Sequence, residues 1–256
     1  SFISLSFLRW KTFKTAQVRE RTLTLVMVTI NRVAGLEGLI SSAALKFIDV
    51  VAQAQSLNGG VHGDGIARVV LTGGGAGIGM LKELRRLDQA ARDQGEDFPA
   101  LRIDWERIHI FFGDERNVPV SDPDSNEGQA REALLDHVDI PNCHIHGFDL
   151  GAISMSSAAD AYEEELREYA PQGFDLHLLG VGGEGHINSL FPHTDAVREQ
   201  EEFVVAVHDS PKPPSERLTL TLPAIAKAKH VWLLVAGEEK AEAAAHVAAG
   251  SPAEDW

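Results

Sequence analysis

The chain is poor in cysteine: Cys143 stands alone among 256 residues. One thiol excludes an internal disulfide framework and any cysteine-rich zinc site. Long apolar runs are missing too. No segment reaches the eighteen or so uninterrupted apolar residues that a membrane span requires, and the run from Phe2 to Leu8 is broken by Ser4 and Ser6. The charges beside that run, Arg9, Lys11 and Lys14, follow it, whereas a secretion signal carries them in front. Positive charge is scarce, with 23 Lys and Arg against 38 Asp and Glu and a formal net charge of -15. Such a chain repels phosphate backbones and anionic lipid, which argues against nucleic acid or a membrane surface as partner. Internal repeats and low-complexity tracts are absent as well. A cytoplasmic globular protein with no obligate protein partner is the simplest expectation.

What the chain does have is an ordinary globular composition, 44% hydrophobic, and a length that suits one large domain or two small ones. Its charge is unevenly spread. Residues 1–26 hold Arg9, Lys11, Lys14, Arg19 and Arg21 against Glu20 alone, a net of +4, while the remainder carries 18 basic and 37 acidic residues. A shift of that kind marks a boundary. Residues 1–26 are therefore expected to be a basic N-terminal extension outside the native domain, with 27–256 as the domain. The alternative is a basic strand and arm packed on the domain.

Apolar β-like runs alternate with segments of helical periodicity. Buried strands are expected at 28–33, 68–71, 108–112, 174–181 and 231–235, with shorter extended pieces near Ile145, at 202–207 and at 218–222. Helices are expected at 39–54, 78–91, 125–137, 157–169, 223–228 and 238–249, and a loop with Pro99 at 95–102. This alternation points to a parallel α/β sheet covered on both faces, and in such sheets ligands bind beyond the carboxyl ends of the strands.

Four motifs sit at such strand exits or in stiff loops. The first, Leu71-Thr72-Gly73-Gly74-Gly75-Ala76-Gly77, joins a strand to a helix, where free backbone N–H groups and the positive helix end favour a phosphate. It is no dinucleotide fingerprint, because Ile78 and Met80 fall where the third glycine belongs, and no Walker loop, because Met80 and Leu81 replace the Lys-Ser/Thr pair. The second, Gly113-Asp114-Glu115-Arg116, puts three charges at a strand exit; Arg116 suits a carboxylate or phosphate, unless it merely pairs with a neighbouring acid to fix the loop. The third, running from Gly180 through Gly182-Gly183-Glu184-Gly185-His186 to Pro192, would present His186 at the edge of a cleft. A neutral imidazole there can take a proton from water, with Glu184 orienting it or simply facing solvent. The fourth, Pro211-Lys212-Pro213-Pro214 with Arg217, reads either as a rigid cationic loop for an anion or as a stiff surface linker. His144 and His146 alternate without a carboxylate or cysteine at ligand spacing, so no metal site is expected; no G-x-S-x-G elbow occurs.

These motifs occur in this order in 6-phosphogluconolactonases, and from about residue 28 to 256 the chain resembles that family. The stretch Gly-x-Gly-x-acid-Gly-His-x-x-Ser-Leu-Phe-Pro carries most of the specificity; Asp124-Ser125-Asn126 adds to it. The resemblance implies a three-layer α/β/α domain with a mostly parallel sheet, the glucosamine-6-phosphate deaminase/isomerase (NagB/RpiA-like) fold. It implies hydrolysis of the sugar-phosphate lactone 6-phospho-D-glucono-1,5-lactone, with no metal or organic cofactor. On that reading His186, Glu184 and Arg116 form the catalytic group. Thr72, Gly73, Gly74, Gly75, Asp114, Lys212 and Arg217 bind the substrate and its phosphate. Two departures stand out: the family more often has Asp where this chain has Glu184, and it usually continues past the position of Trp256 into another β-segment, so the domain is expected to lack its natural C-terminal end. Two alternatives remain open. A sugar-phosphate isomerase/deaminase of the same fold typically has Asp-Glu-Tyr where this chain has Asp114-Glu115-Arg116, and Ala-Phe-Asn-Glu-Pro after the glycine-histidine turn. A non-catalytic sugar-phosphate sensor usually carries a helix-turn-helix, which 1–26 lacks.

Overall fold

The computed structural model describes residues 2–8, 25–94 and 103–249. Its centre is a seven-stranded sheet built on continuous apolar runs. Strands β3 (Ala67–Leu71), β4 (Ile108–Phe112) and β7 (Leu176–Gly180) lie next to one another in the order β7-β3-β4, with β10 (His230–Leu234) beyond β7 and the two-residue β6 (Ile145–His146) beyond β4. All neighbouring pairs in this group are parallel. Every residue of β3 and β4 is buried, as expected of parallel strands covered on both faces.

On the β10 side the sheet turns antiparallel. β1 (Phe2–Leu8) pairs with both β10 and β2 (Leu25–Asn31), which forms the edge. The expected extension 1–26 is thus divided: residues 2–8 form a strand of the sheet, and 9–24 lie outside the described residues. The expected loop at 95–102 also lies outside them.

A second, small antiparallel sheet has the order β5 (Asp114–Arg116), β9 (Arg217–Leu220), β8 (Val204–Val207). Leu220 N–H donates to the Gly113 carbonyl at 2.8 Å, tying this sheet to the end of β4.

The helices form where apolar spacing allows. In α1 (Gly35–Ala54), Leu39, Ile40, Ala43, Ala44, Phe47, Ile48 and Val51 make the buried stripe, and in α2 (Gly74–Asp93) Met80, Leu81, Leu84, Leu87 and Ala91 do so. These two helices pack on each other. Ser125 caps α3 (Asn126–Ala133), and Ser154 caps α4 (Met155–Tyr169). Tyr162 of α4 spends its hydroxyl on the backbone of Phe112, accepting from its N–H at 2.8 Å and donating to its carbonyl at 3.1 Å. Short helices α5 (Asp195–Arg198) and α6 (Leu222–Ile225) flank β8 and β9, and α7 (Ala241–Ala249) follows β10.

One core residue has no obvious place there. His177 in β7 is fully buried, and neither ring nitrogen has a hydrogen-bond partner among the described residues. Burial pushes its pKa down to about 3. The folded chain therefore binds fewer protons here than the unfolded chain, and stability falls as pH drops from about 6.5 towards 3. Burial moves His62 and His109 in the same direction. Urea unfolding at pH 7.5 and pH 5 should find His177→Leu about 1–3 kcal/mol more stable, because two unpaired polar atoms are removed. The gain should be larger at pH 5. A gain independent of pH would mean that His177 is not the group being titrated.

Candidate active site

Four parallel strands deliver their carboxyl ends to one cleft of about 380 Å³. β3 brings Thr72 and the glycines 73, 74, 75 and 77; β4 leads into β5 with Asp114 and Arg116; β7 brings the loop carrying His186; β10 leads to Glu239 and Lys240. Lys212, Arg217 and Asn126 complete the wall. Nine of the ten site residues expected from the sequence line this cleft. The exception is Glu184, which stands behind His186.

The loop after β7 closes tightly. Gly182 N–H donates to the His186 carbonyl at 2.9 Å, and Gly185 N–H donates to the Gly182 carbonyl at 3.0 Å. The His186 ring folds back over Gly182 so closely that any Cβ there would collide with it. Its other side stacks on Phe191, 4.5 Å between centroids. The ring is thus held between backbone and phenyl.

Glu184 Oε1 lies 3.0 Å from His186 Nδ1, a close contact whose angle falls short of an aligned hydrogen bond. The same oxygen lies 2.8 Å from Lys212 Nζ, whose second contact is to Oε2 at 3.0 Å. Burial pushes the Glu184 carboxyl up, but Lys212, a backbone N–H and His186 outweigh it and hold the group below its ordinary value. For His186 burial is the largest influence and lowers the pKa; Glu184 opposes this and Lys212 adds to it. The imidazole is therefore neutral at pH 7. With the carboxylate beside Nδ1, the proton belongs on Nδ1 and the lone pair on Nε2. One carboxylate oxygen of Glu184 thus touches both the imidazole and the lysine.

The cations are less free than their sequence positions imply. Lys212 is ion-paired with Glu184. Arg217, 4% exposed, donates from Nε to the Pro214 carbonyl (3.0 Å) and from Nη2 to the Lys212 carbonyl (3.0 Å), so it fixes the proline loop from within. Its guanidinium also lies over Phe191, 5.8 Å from the ring centroid. Arg116 Nη1 donates to the Asp124 carbonyl and to Asn126 Oδ1, both at 2.8 Å, while its buried Nε has no partner among the described residues. Arg116 and Arg217 are register partners across β5 and β9. Like charges facing each other on paired strands repel, and an anion between them relieves that repulsion.

The helix α2 starts at Gly74, with Gly73 as an N-cap that supplies no side-chain hydrogen bond. Its first-turn N–H groups are left to point at the cleft. Thr72 Oγ1 accepts from Gly180 N–H at 3.1 Å, which ties the two strand exits together.

Two neighbours are structural. Glu115, 4% exposed, accepts from the N–H groups of Arg116 (2.9 Å), Asn126 (2.8 Å) and Glu127 (2.9 Å) and from Ser125 Oγ (3.0 Å), so it anchors the start of α3. His146 bonds His109 Nδ1 at 2.7 Å and pairs with Glu165, while His144 stacks on His109; this cluster lies at the β6 edge. Asp114, expected to bind substrate, accepts from Ser189 Oγ at 2.6 Å and from Asn126 Nδ2 at 3.2 Å. As a carboxylate it suits a hydroxyl rather than a phosphate.

Sequence reasoning missed Asn126, Asn188, Glu239 and Lys240 as lining residues. Lys240 carried the available signal: Gly237-Glu238-Glu239-Lys240 is again glycine and charge at the exit of an apolar strand.

Fold and site together define a three-layer α/β/α protein with an anion-binding cleft at the carboxyl ends of a mostly parallel sheet and a neutral histidine inside it. Comparison places it more closely. The chain matches the family described as glucosamine-6-phosphate isomerases/6-phosphogluconolactonase over residues 36–256, and it belongs to that family. It is 50% identical over 195 residues to the 6-phosphogluconolactonase of Mycobacterium leprae, covering 73% of this chain and 74% of the relative. It is 45% identical over 223 residues to that of Mycobacterium tuberculosis, covering 83% of each. Among solved structures it is similar to the 6-phosphogluconolactonase from Trypanosoma cruzi, with a TM-score of 0.69 at 26% identity over 87% of each chain. Among the described residues no helix is long and apolar enough to cross a membrane.

Proposed function

We propose that this protein hydrolyses 6-phospho-D-glucono-1,5-lactone to 6-phospho-D-gluconate, the second step of the oxidative pentose phosphate pathway, and does so in the cytoplasm. The observation that carries the reading is a half-buried, neutral His186 in the same cleft as the open N-terminus of α2 and the facing pair Arg116 and Arg217. One end of that cleft suits a dianionic phosphate, the other an ester carbonyl. The likeness in sequence to 6-phosphogluconolactonases supports the same reading.

In the proposed reaction the phosphate is held by the first-turn N–H groups of α2, with Arg217 and Lys240 as cations. That anchor fixes the lactone carbonyl near His186. Nε2 takes a proton from water, and the water oxygen forms a bond to the carbonyl carbon. The oxygen of the tetrahedral intermediate becomes anionic and is met by a preorganised donor, Arg116 or the Gly183 N–H. When the carbon–oxygen ring bond breaks, the proton on Nε2 passes to the departing ring oxygen. The new carboxylic acid then releases its proton to solvent to give the carboxylate, and no covalent intermediate is needed.

The test is a lactone-hydrolysis assay with phosphorylated and unphosphorylated gluconolactone, each corrected for spontaneous opening. A marked preference for the phosphorylated lactone is expected; equal rates, or none above background, overturn the reading.

The pH profile follows from the Glu184 contacts. At saturating lactone, kcat should fall on acidification as His186 protonates, with its midpoint below 6.5 because burial depresses the imidazole. Glu184→Gln removes an influence that raises His186 and should move this acid limb to lower pH. Lys212→Ala removes one that lowers it and should move the limb to higher pH. A limb unmoved by both variants would take Glu184 and Lys212 out of the titration.

A further inference from the structure

One side chain touches three of the segments that wall the cleft, yet it has no part in the reaction just described. Asn126 opens α3, lines the cleft and is 5% exposed. Its Oδ1 accepts from Arg116 Nη1 at 2.8 Å. Its Nδ2 donates to the Asp114 carbonyl at 2.9 Å and to Asp114 Oδ1 at 3.2 Å. The amide also lies against Gly73, the N-cap of α2, where any Cβ would collide with Asn126 Oδ1.

The neighbours leave this amide one orientation. Arg116 only donates, so the end facing it must be the oxygen; the Asp114 carbonyl only accepts, so the end facing that must be the nitrogen. The backbone beneath is equally fixed. Asn126 N–H donates to Glu115 Oε1 at 2.8 Å, Glu127 N–H donates to Glu115 Oε2 at 2.9 Å, and Ser125 Oγ accepts from Gly128 N–H at 3.0 Å. An aspartate here would turn a second acceptor on the Asp114 carbonyl, and a serine offers one polar atom for two places.

What the amide holds is the guanidinium. Arg116 Nη1 has two acceptors, Asn126 Oδ1 and the Asp124 carbonyl, both at 2.8 Å. Those two bonds fix the plane of the fork, and with it the direction of the donors that remain. A long arginine is otherwise free to rotate about several bonds, and Arg217, its register partner, repels it. A donor to a developing oxyanion works best when it is in place before the charge forms.

We propose that Asn126 is a positioning residue: its amide holds the Arg116 guanidinium, against the repulsion of Arg217, in the direction that meets the anionic oxygen of the tetrahedral intermediate. This rests on the lactone reading above, and it assigns the oxyanion to Arg116 in preference to Gly183.

The experiment measures kcat and KM for 6-phosphogluconolactone, corrected for spontaneous opening, in the wild type, Asn126→Ala, Arg116→Ala and the double variant, with urea midpoints alongside. Arg116→Ala should lower kcat by about 10²- to 10³-fold, the cost of one lost oxyanion donor. Asn126→Ala should lower it by about 10- to 100-fold, with KM changed less than about threefold. The double variant should lie within about threefold of Arg116→Ala, because the amide then has no guanidinium left to hold. A residue that merely supports the fold would instead multiply its loss onto that of Arg116→Ala. Where alanine costs the fold, Asn126→Ser takes its place in the same cycle. Multiplied losses, a KM effect without a kcat effect, or wild-type kcat in either single variant each make the Asn126 assignment wrong while the lactone reading stands. If the wild type opens the lactone no faster than buffer, the lactone reading itself fails.

Discussion

Replacing His186 by alanine is expected to lower kcat by about 10²- to 10⁴-fold, the usual worth of a positioned general base, while KM changes less than about threefold. The expectation follows from where the ring sits. It packs between Gly182 and Phe191, with Nδ1 beside Glu184, so Nε2 is fixed in direction before any substrate arrives. The phosphate anchor lies on other elements, so binding should survive the loss of the imidazole. His186→Gln keeps a polar group of similar length but no base, and should be nearly as slow. The rate must be measured against spontaneous opening, which sets the floor. Turnover close to wild type would remove His186 from the mechanism.

Arg217→Ala is expected to raise KM for the phosphorylated lactone by about 10- to 100-fold, the equivalent of one charge-assisted hydrogen bond to a dianion. It should change kcat less than KM and reduce the preference over unphosphorylated gluconolactone. Two effects act together. The guanidinium is half of the facing Arg116 and Arg217 pair that favours an anion. It also holds the Lys212 and Pro214 carbonyls, so its loss loosens the loop that positions Lys212. Arg217→Lys separates them: it restores the charge without the planar fork, and its KM should be intermediate. An unchanged phosphate preference in both variants would place the phosphate elsewhere in the cleft.

Much of this was legible before any coordinates. The central strands β3, β4, β7 and β10 are continuous apolar runs, and the glycine and charge at their exits marked the cleft. What could not be read has physical reasons. β5 is the run Asp114-Glu115-Arg116, whose three charged residues carry no strand signal; only pairing with β9 makes it a strand. α2 begins four residues before its apolar stripe suggests, inside glycines that disfavour helix. Glu115 was expected to share in the charge at a strand exit, yet its carboxylate anchors α3. The proline loop carrying Lys212 reads as a cationic loop for an anion or as a stiff linker, and no sequence spacing shows that Glu184, 28 residues earlier, reaches the lysine.

The hydrogen bond between Thr72 and Gly180 spans 108 residues of chain, and that between Asn117 and Glu216 spans 99. The strand exits around the cleft are therefore joined by contacts between distant parts of the chain, each of which closes a long loop. The lining of the cleft runs from Thr72 to Lys240, so a chain cut before Lys240 would keep the glycine turn and the imidazole but lose one of the cations that wall them.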